Sequence, residues 1–111
     1  MITDPLIQEA TSALQQRTLI KLHALIEDLH PTDLADLLRR LEEPHRLAFM
    51  LWLDETRAAA VLEALEPEEQ ISLVRTLTDE QVSGLLEEMA QDDAVDLLGE
   101  LPAARAQRLL R

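Results

Sequence analysis

The chain has no cysteine and no tyrosine, and only two glycines and two aromatic residues, Phe49 and Trp52, in 111 positions. Without cysteine it can build neither a disulfide frame nor a thiolate metal site. His23, His30 and His45 stand at no metal-ligand spacing, so they read as surface or turn residues. Ser12, Ser72 and Ser83 have no base and orienting group arranged around them, and no glycine-rich loop is present to cradle phosphate. Enzyme chemistry therefore lacks its usual parts, and the chain is read as no enzyme. No apolar run approaches the roughly 18 residues that span a bilayer. The first residues, MITDPLIQEA, lack the basic start and apolar stretch of a secretory leader. Positive charge is scarce as well: 10 Lys and Arg stand against 22 Asp and Glu, for a net charge of −12. Residues 66–101 hold eleven acids against the lone Arg75, net −10, and Arg105, Arg108 and Arg111 follow as the only charges of the last ten residues. Phosphate neutralisation needs a basic surface, so nucleic acid is excluded as a natural partner. Divalent cations or a basic protein surface are the fitting complement.

What the chain does have is leucine at a fixed period. From His30 it reads HPTDLADLLRRL, EEPHRLAFMLWL, DETRAAAVLEAL, EPEEQISLVRTL, TDEQVSGLLEEM, AQDDAVDLLGEL and PAARAQRLLR, six units of twelve residues and a seventh of ten. Unit positions 5, 8, 9 and 12 follow the spacing i, i+3, i+4, i+7 of one helix face. Twelve residues at about 100° each leave successive stripes about 120° apart, so one unbroken helix would have no core face. The chain must therefore break once per unit. Break residues stand at the unit starts: Pro31, Pro44, Pro67 and Pro102, with Asp54, Thr78 and Asp92 as candidate caps. Thr78 and Gln81 have capping-box spacing. Each unit becomes a helix of about two turns, too short to be stable alone, and neighbouring units are expected to pair as helical hairpins. The fold class is all-α, a superhelix (solenoid) of short helices. Residues 1–29 are read as a longer helix with a bend near Gln16 or Thr18 that caps the superhelix of residues 30–111, the two forming one structural domain. The helix starts at Asp4-Pro5, carries Ile7, Leu14, Leu22, Leu25, Ile26 and Leu29, and ends before His30-Pro31.

The densest group of chemistry-bearing residues is Asp92, Asp93 and Asp96 in QDDAVD. On a helix Asp92 and Asp96 project side by side at i and i+4. Hard cations such as Mg²⁺ take carboxylate oxygens while keeping several waters, so one or two such carboxylates suffice when a partner surface completes the site. The structural alternative is that acids at a helix start complement its dipole and cap its free N–H groups. Asp96, one turn further in, fits a capping role poorly. The literal DDxxD pattern is also that of prenyl-transfer enzymes, but twelve-residue units cannot enclose the deep apolar cavity such chemistry needs.

In order along the chain, the His-Pro step before the first unit, the AAxVL run, the EPEEQ turn and the DDxxDLL run resemble the cytoplasmic N-terminal domain of MgtE-type magnesium transporters and channels. The resemblance covers Leu29 to Pro102. It implies a right-handed superhelix and a regulatory N domain that senses Mg²⁺. In such transporters the domain closes the pore through Mg²⁺-bridged contact with CBS domains, which in turn connect to a plug helix and a transmembrane pore. It further implies that Asp92 and Asp96, with Asp93 beside them, are metal ligands of a weak site shared with the CBS domains. The expected location is a cytoplasmic domain of an inner-membrane transporter, meeting the membrane only through a transmembrane part that this sequence lacks. One departure stands out: where the family can carry an acid in the AAxVL run, this chain has Ala60, which implies either fewer ions or recruitment of Glu63 from the next turn. A metal-independent helical-repeat scaffold for protein interaction is the competing reading.

Overall fold

The computed structural model describes residues 2–16 and 19–110. Among the described residues there are nine α-helices and no strand: α1 (Asp4–Gln16), α2 (Leu19–Ile26), α3 (Pro31–Arg40), α4 (Glu43–Trp52), α5 (Glu55–Ala64), α6 (Pro67–Val74), α7 (Asp79–Glu88), α8 (Gln91–Glu100) and α9 (Ala103–Leu109). The all-α class and the one-helix-per-unit rule both hold. The N-terminal segment consists of α1 and α2; the expected bend near Gln16 or Thr18 falls at residues 17–18, outside the described residues. The chain divides into two compact units, Met1–Leu53 and Asp54–Arg111.

The twelve-residue period has a simple local origin. Helices α3, α4, α5, α7 and α8 are each ten residues long, and two residues separate each from the helix that follows. The first of the two, Leu41, Leu53, Leu65, Met89 or Leu101, has φ between −84° and −64° and ψ between 147° and 157°. These are extended values, so twelve is ten plus two. The twelfth position is thus not the last rung of a helical stripe, as its spacing suggests, but an extended cap whose side chain plugs the core. Leu41, Leu53, Leu65, Leu77, Met89 and Leu101 are all buried. Unit four departs from the rule: α6 stops after eight residues, Arg75 stays helical, and Thr76 Oγ1 donates back to the Leu73 carbonyl at 2.7 Å.

The unit starts behave largely as their residues dictate. Proline stands in the first turn of α3, α4 and α6, where its missing N–H costs nothing. Asp54 accepts from the Arg57 N–H at 2.8 Å, and Thr78 and Gln81 close the capping box reciprocally at 3.2 and 2.9 Å. Asp92 is not a cap. Helix α8 begins at Gln91, with Ala90 as a cap that offers no side chain, so Asp92 lies inside the first turn. Pro102 occupies the cap position of α9 instead of its first turn.

The first unit, residues 1–53, packs α1 against α2 and α4, and α3 against α4. Leu22, Ile26, Leu34, Leu37 and Phe49 have no exposed surface. Full burial of each such side chain contributes about 1.5–3 kcal/mol. Small residues on α1, Ala10 and Ala13, are buried beside Leu14, while Ile7, Leu25 and Leu29 are only half-buried. Trp52 lies at the rim, its ring 6.4 Å from that of Phe49 and edge-on to His23 at 6.3 Å.

In the second unit, residues 54–111, α5 packs on α7, α6 on α8 and α7 on α9, with a lesser contact between α8 and α9. The main partner of each helix is therefore two along the chain, not the next one as the hairpin expectation has it. Two extended residues carry the chain about 7 Å onward without reversing it, so alternate helices, and not neighbours, come alongside. Two polar residues at the fifth unit position serve this geometry. In the first unit, Arg46 donates to the carbonyls of Leu41 at 2.9 Å and Arg39 at 3.3 Å. In the second, Gln70 donates to the carbonyl of Leu62 at 2.7 Å. Each gives a side-chain donor to carbonyls at the end of the preceding helix.

Candidate metal centre

Helix α8 owes its orientation to its apolar side. Leu97 is 1% exposed and Ala94 and Leu98 are half-buried, which turns Asp92, Asp93 and Asp96 to the exposed side. Asp92 and Asp96, one turn apart, are the side-by-side carboxylates that their spacing requires. Val95, on the turn beside them, is 60% exposed, and a Cβ added at Gly99 on the next turn would meet open space. The exposed side of α8 is thus a low, unobstructed surface bearing carboxylates.

A fourth acid joins them from another helix. Glu63, near the end of α5, accepts from the Ala90 N–H at 2.9 Å, satisfying an amide that Ala90 cannot serve for itself. That bond holds the Glu63 carboxylate against Asp93. A hydrogen bond with Glu63 pushes the Asp93 carboxyl above its usual range, and desolvation and the charges of Asp92 and Glu63 push the same way. The upward shift thus comes first from hydrogen bonding between the two carboxyls, then from desolvation, and only then from like charge. Among the described residues no three His, Asp or Glu side chains converge closely enough to hold a metal ion. Asp92, Asp93, Asp96 and Glu63 form an open row of acids.

A different arrangement surrounds Asp79, at the start of α7. Arg105 of α9 donates from Nε to Asp79 Oδ1 at 3.0 Å, and to the carbonyls of Val74 at 2.9 Å and Leu77 at 2.6 Å. Arg108 Nε donates to Asp79 Oδ2 at 2.9 Å. The Arg108 and Arg105 guanidinium groups hold the Asp79 carboxyl below the usual carboxylate range. Nothing in the local sequence pairs these residues, which lie 26 and 29 positions apart. The one legible sign was three arginines following a stretch of net −10. The three histidines stay apart, with His30 as the cap of α3 and His23 on the surface near Glu27 at 3.7 Å.

The model of the family described as the MgtE intracellular N domain matches residues 29–111. This chain belongs to that family. Among solved structures, the crystal structure of the cytosolic domain of the Mg²⁺ channel MgtE in complex with ATP is similar, with a TM-score of 0.78 and 34% sequence identity. That likeness covers 93% of this chain and 43% of the other, so the chain spans less than half the length of the solved domain. No curated protein matches the sequence. The family matched is an intracellular domain and not an enzyme family, and the solved relative is the cytosolic domain of an ion channel. No helix among the described residues is long and apolar enough to cross a membrane.

Proposed function

We propose that this MgtE N domain is the Mg²⁺-sensing regulatory part of a magnesium channel or transporter, and that Asp92 and Asp96, with Asp93, supply its carboxylates to an ion site completed by CBS domains. The observation that carries the reading is the open row itself. Asp92 and Asp96 lie exposed one turn apart on α8, and Asp93 is raised in pKa by an uncompensated acidic neighbour. Two acidic surfaces repel in the absence of cations and are bridged by divalent ions when these are abundant, which converts cytosolic Mg²⁺ concentration into domain approach and pore closure. Glu63 stands in for the acid missing at Ala60, since it reaches the start of α8 from the same helix, α5. The weak, shared character of the site follows from hydrated Mg²⁺ needing only one or two carboxylates from each side.

The test is the Mg²⁺ dependence of gating in the full-length protein. Asp92→Asn together with Asp96→Asn shifts closure to higher Mg²⁺. Unchanged dependence in the double variant removes these residues from the site. If partner binding by the domain proves indifferent to Mg²⁺ at matched ionic strength, the metal-independent scaffold takes its place.

A further inference from the structure

Helix α9 differs from the other helices of its unit in how it is held. Helix α5 buries Ala58, Ala59, Val61 and Leu62, and α8 buries Leu97, but α9 buries no residue at all. Leu109 is half-buried, and Leu110, just past its end, is 72% exposed. Apolar contact therefore contributes little to its docking. What fixes it is Arg105, whose side chain is only 15% exposed. This one guanidinium donates to the Asp79 carboxylate, to the Leu77 carbonyl and, beside the Leu77 N–H, to the Val74 carbonyl just past the early end of α6. Arg108 adds the second arm to Asp79.

The position of this clamp has a consequence. Beside it lies an open groove of about 450 Å³ lined by Glu55, Glu80, Ser83, Glu87 and Asp79, with Arg108 and Leu109 forming the α9 side. Arg108 is the single cationic residue of that lining. With α9 in place the groove is partly neutralised; with α9 gone it is a wholly acidic surface.

We propose that α9 is an ionic latch, a helix that undocks as a unit from a folded α5–α8 and in doing so withdraws Arg108 from the acidic groove. A helix held by charge-assisted hydrogen bonds instead of a buried apolar stripe opens locally, below the free energy of global unfolding. Its opening responds to ionic strength in a way that a leucine-packed helix does not, because exposed ion pairs are screened by salt.

Hydrogen exchange of the intact protein, read by mass spectrometry, decides this. Amides of α9 are expected to exchange at least about tenfold faster than those of α5 and α7. Arg105→Met speeds α9 exchange by a further factor of about ten or more, leaving α5–α8 unchanged, and raising NaCl from about 0.05 to 1 M moves α9 alone in the same direction. Arg108→Met, at the more exposed arm, gives a smaller increase in α9 and guards against a poorly folded Arg105 variant. The latch is refuted if both arginine variants leave α9 protection unaltered, or if α5–α8 lose protection in step with it. A larger effect from Leu109→Ala than from Arg105→Met also refutes it, since apolar packing would then be what holds the helix.

Discussion

Two acidic positions in the second unit, Asp79 and Asp93, occupy similar places and have opposite fates. Both belong to the first turn of a ten-residue helix, α7 or α8. Asp79 is held by two arginines and its carboxyl is lowered; Asp93 faces Glu63 and Asp92 and its carboxyl is raised. The difference separates acids that the fold has used from acids that it has left available. A carboxylate with its guanidinium already in place gains little from a passing cation. One in a row of like charges gains whatever repulsion the cation relieves. By that criterion the ion site proposed above belongs at the start of α8, and not among the acids around the groove.

The largest effect on this contrast should come from beneath it. Leu97→Ala removes the most deeply buried side chain of α8 and is expected to cost about 2–5 kcal/mol. The row of acids then loses its platform, while the Asp79 clamp keeps both partners. Urea unfolding gives the stability, and the Arg105 side-chain resonances report whether the clamp survives in the folded variant. A loss below about 1 kcal/mol would mean that α8 is held in place by something other than its apolar side.

A smaller loss is expected at the cap that positions Asp79. Thr78→Ala removes the hydroxyl that accepts from the Gln81 N–H and should cost about 1 kcal/mol. Combined with Arg105→Met, the two losses should fall short of or exceed their sum, because cap and clamp meet at adjacent residues. Strict additivity in a double-mutant cycle would show that Asp79 is placed by the arginines alone.

Much of this fold could be read from the chain. The period demanded short, separate helices, and Pro31, Pro44, Pro67, Asp54 and Thr78 marked their starts because each acts on its own few residues. Asp92 was misread as a cap because the sequence shows an acid near a helix start but not which residue is the first turn; Ala90 in the cap position reveals the shift only through the Glu63 bond from another helix. Hairpin pairing failed in the second unit for a related reason. Whether two linking residues are extended or reversing is a dihedral choice, and leucine at the twelfth position permits either. In the candidate site the spacing of Asp92 and Asp96 was enough to place them together. Their relation to Glu63, like that of Asp79 to Arg105, depends on which helices pack, and alternate packing brought together residues about 30 positions apart that local spacing cannot connect.

The finest test of the contrast is titration, because the two carboxyls must act on stability with opposite signs. Asp79 is lowered from 3.8, so its contribution is fully present above 3.8 and is lost as pH falls through the lower, folded value. Asp93 is raised from 3.8, so between 3.8 and its folded value the native state binds more proton than the unfolded chain, and stability falls as pH rises through that window. Asp93→Asn removes the second effect while leaving an amide that can still donate to Glu63. The variant should therefore have a higher urea midpoint than the parent at pH 7, and the advantage should shrink toward zero as pH falls through the Asp93 window. Asp79→Asn should do the reverse, costing stability at pH 7 and nothing at a pH below both carboxyl values. Added Mg²⁺ discriminates further: if the ion relieves repulsion along α8, it narrows the gap between parent and Asp93→Asn and leaves that between parent and Asp79→Asn untouched. Equal midpoints for parent and Asp93→Asn at pH 7 would mean that Glu63 and Asp93 do not strain one another, and the start of α8 would lose its claim over the other acids of the unit.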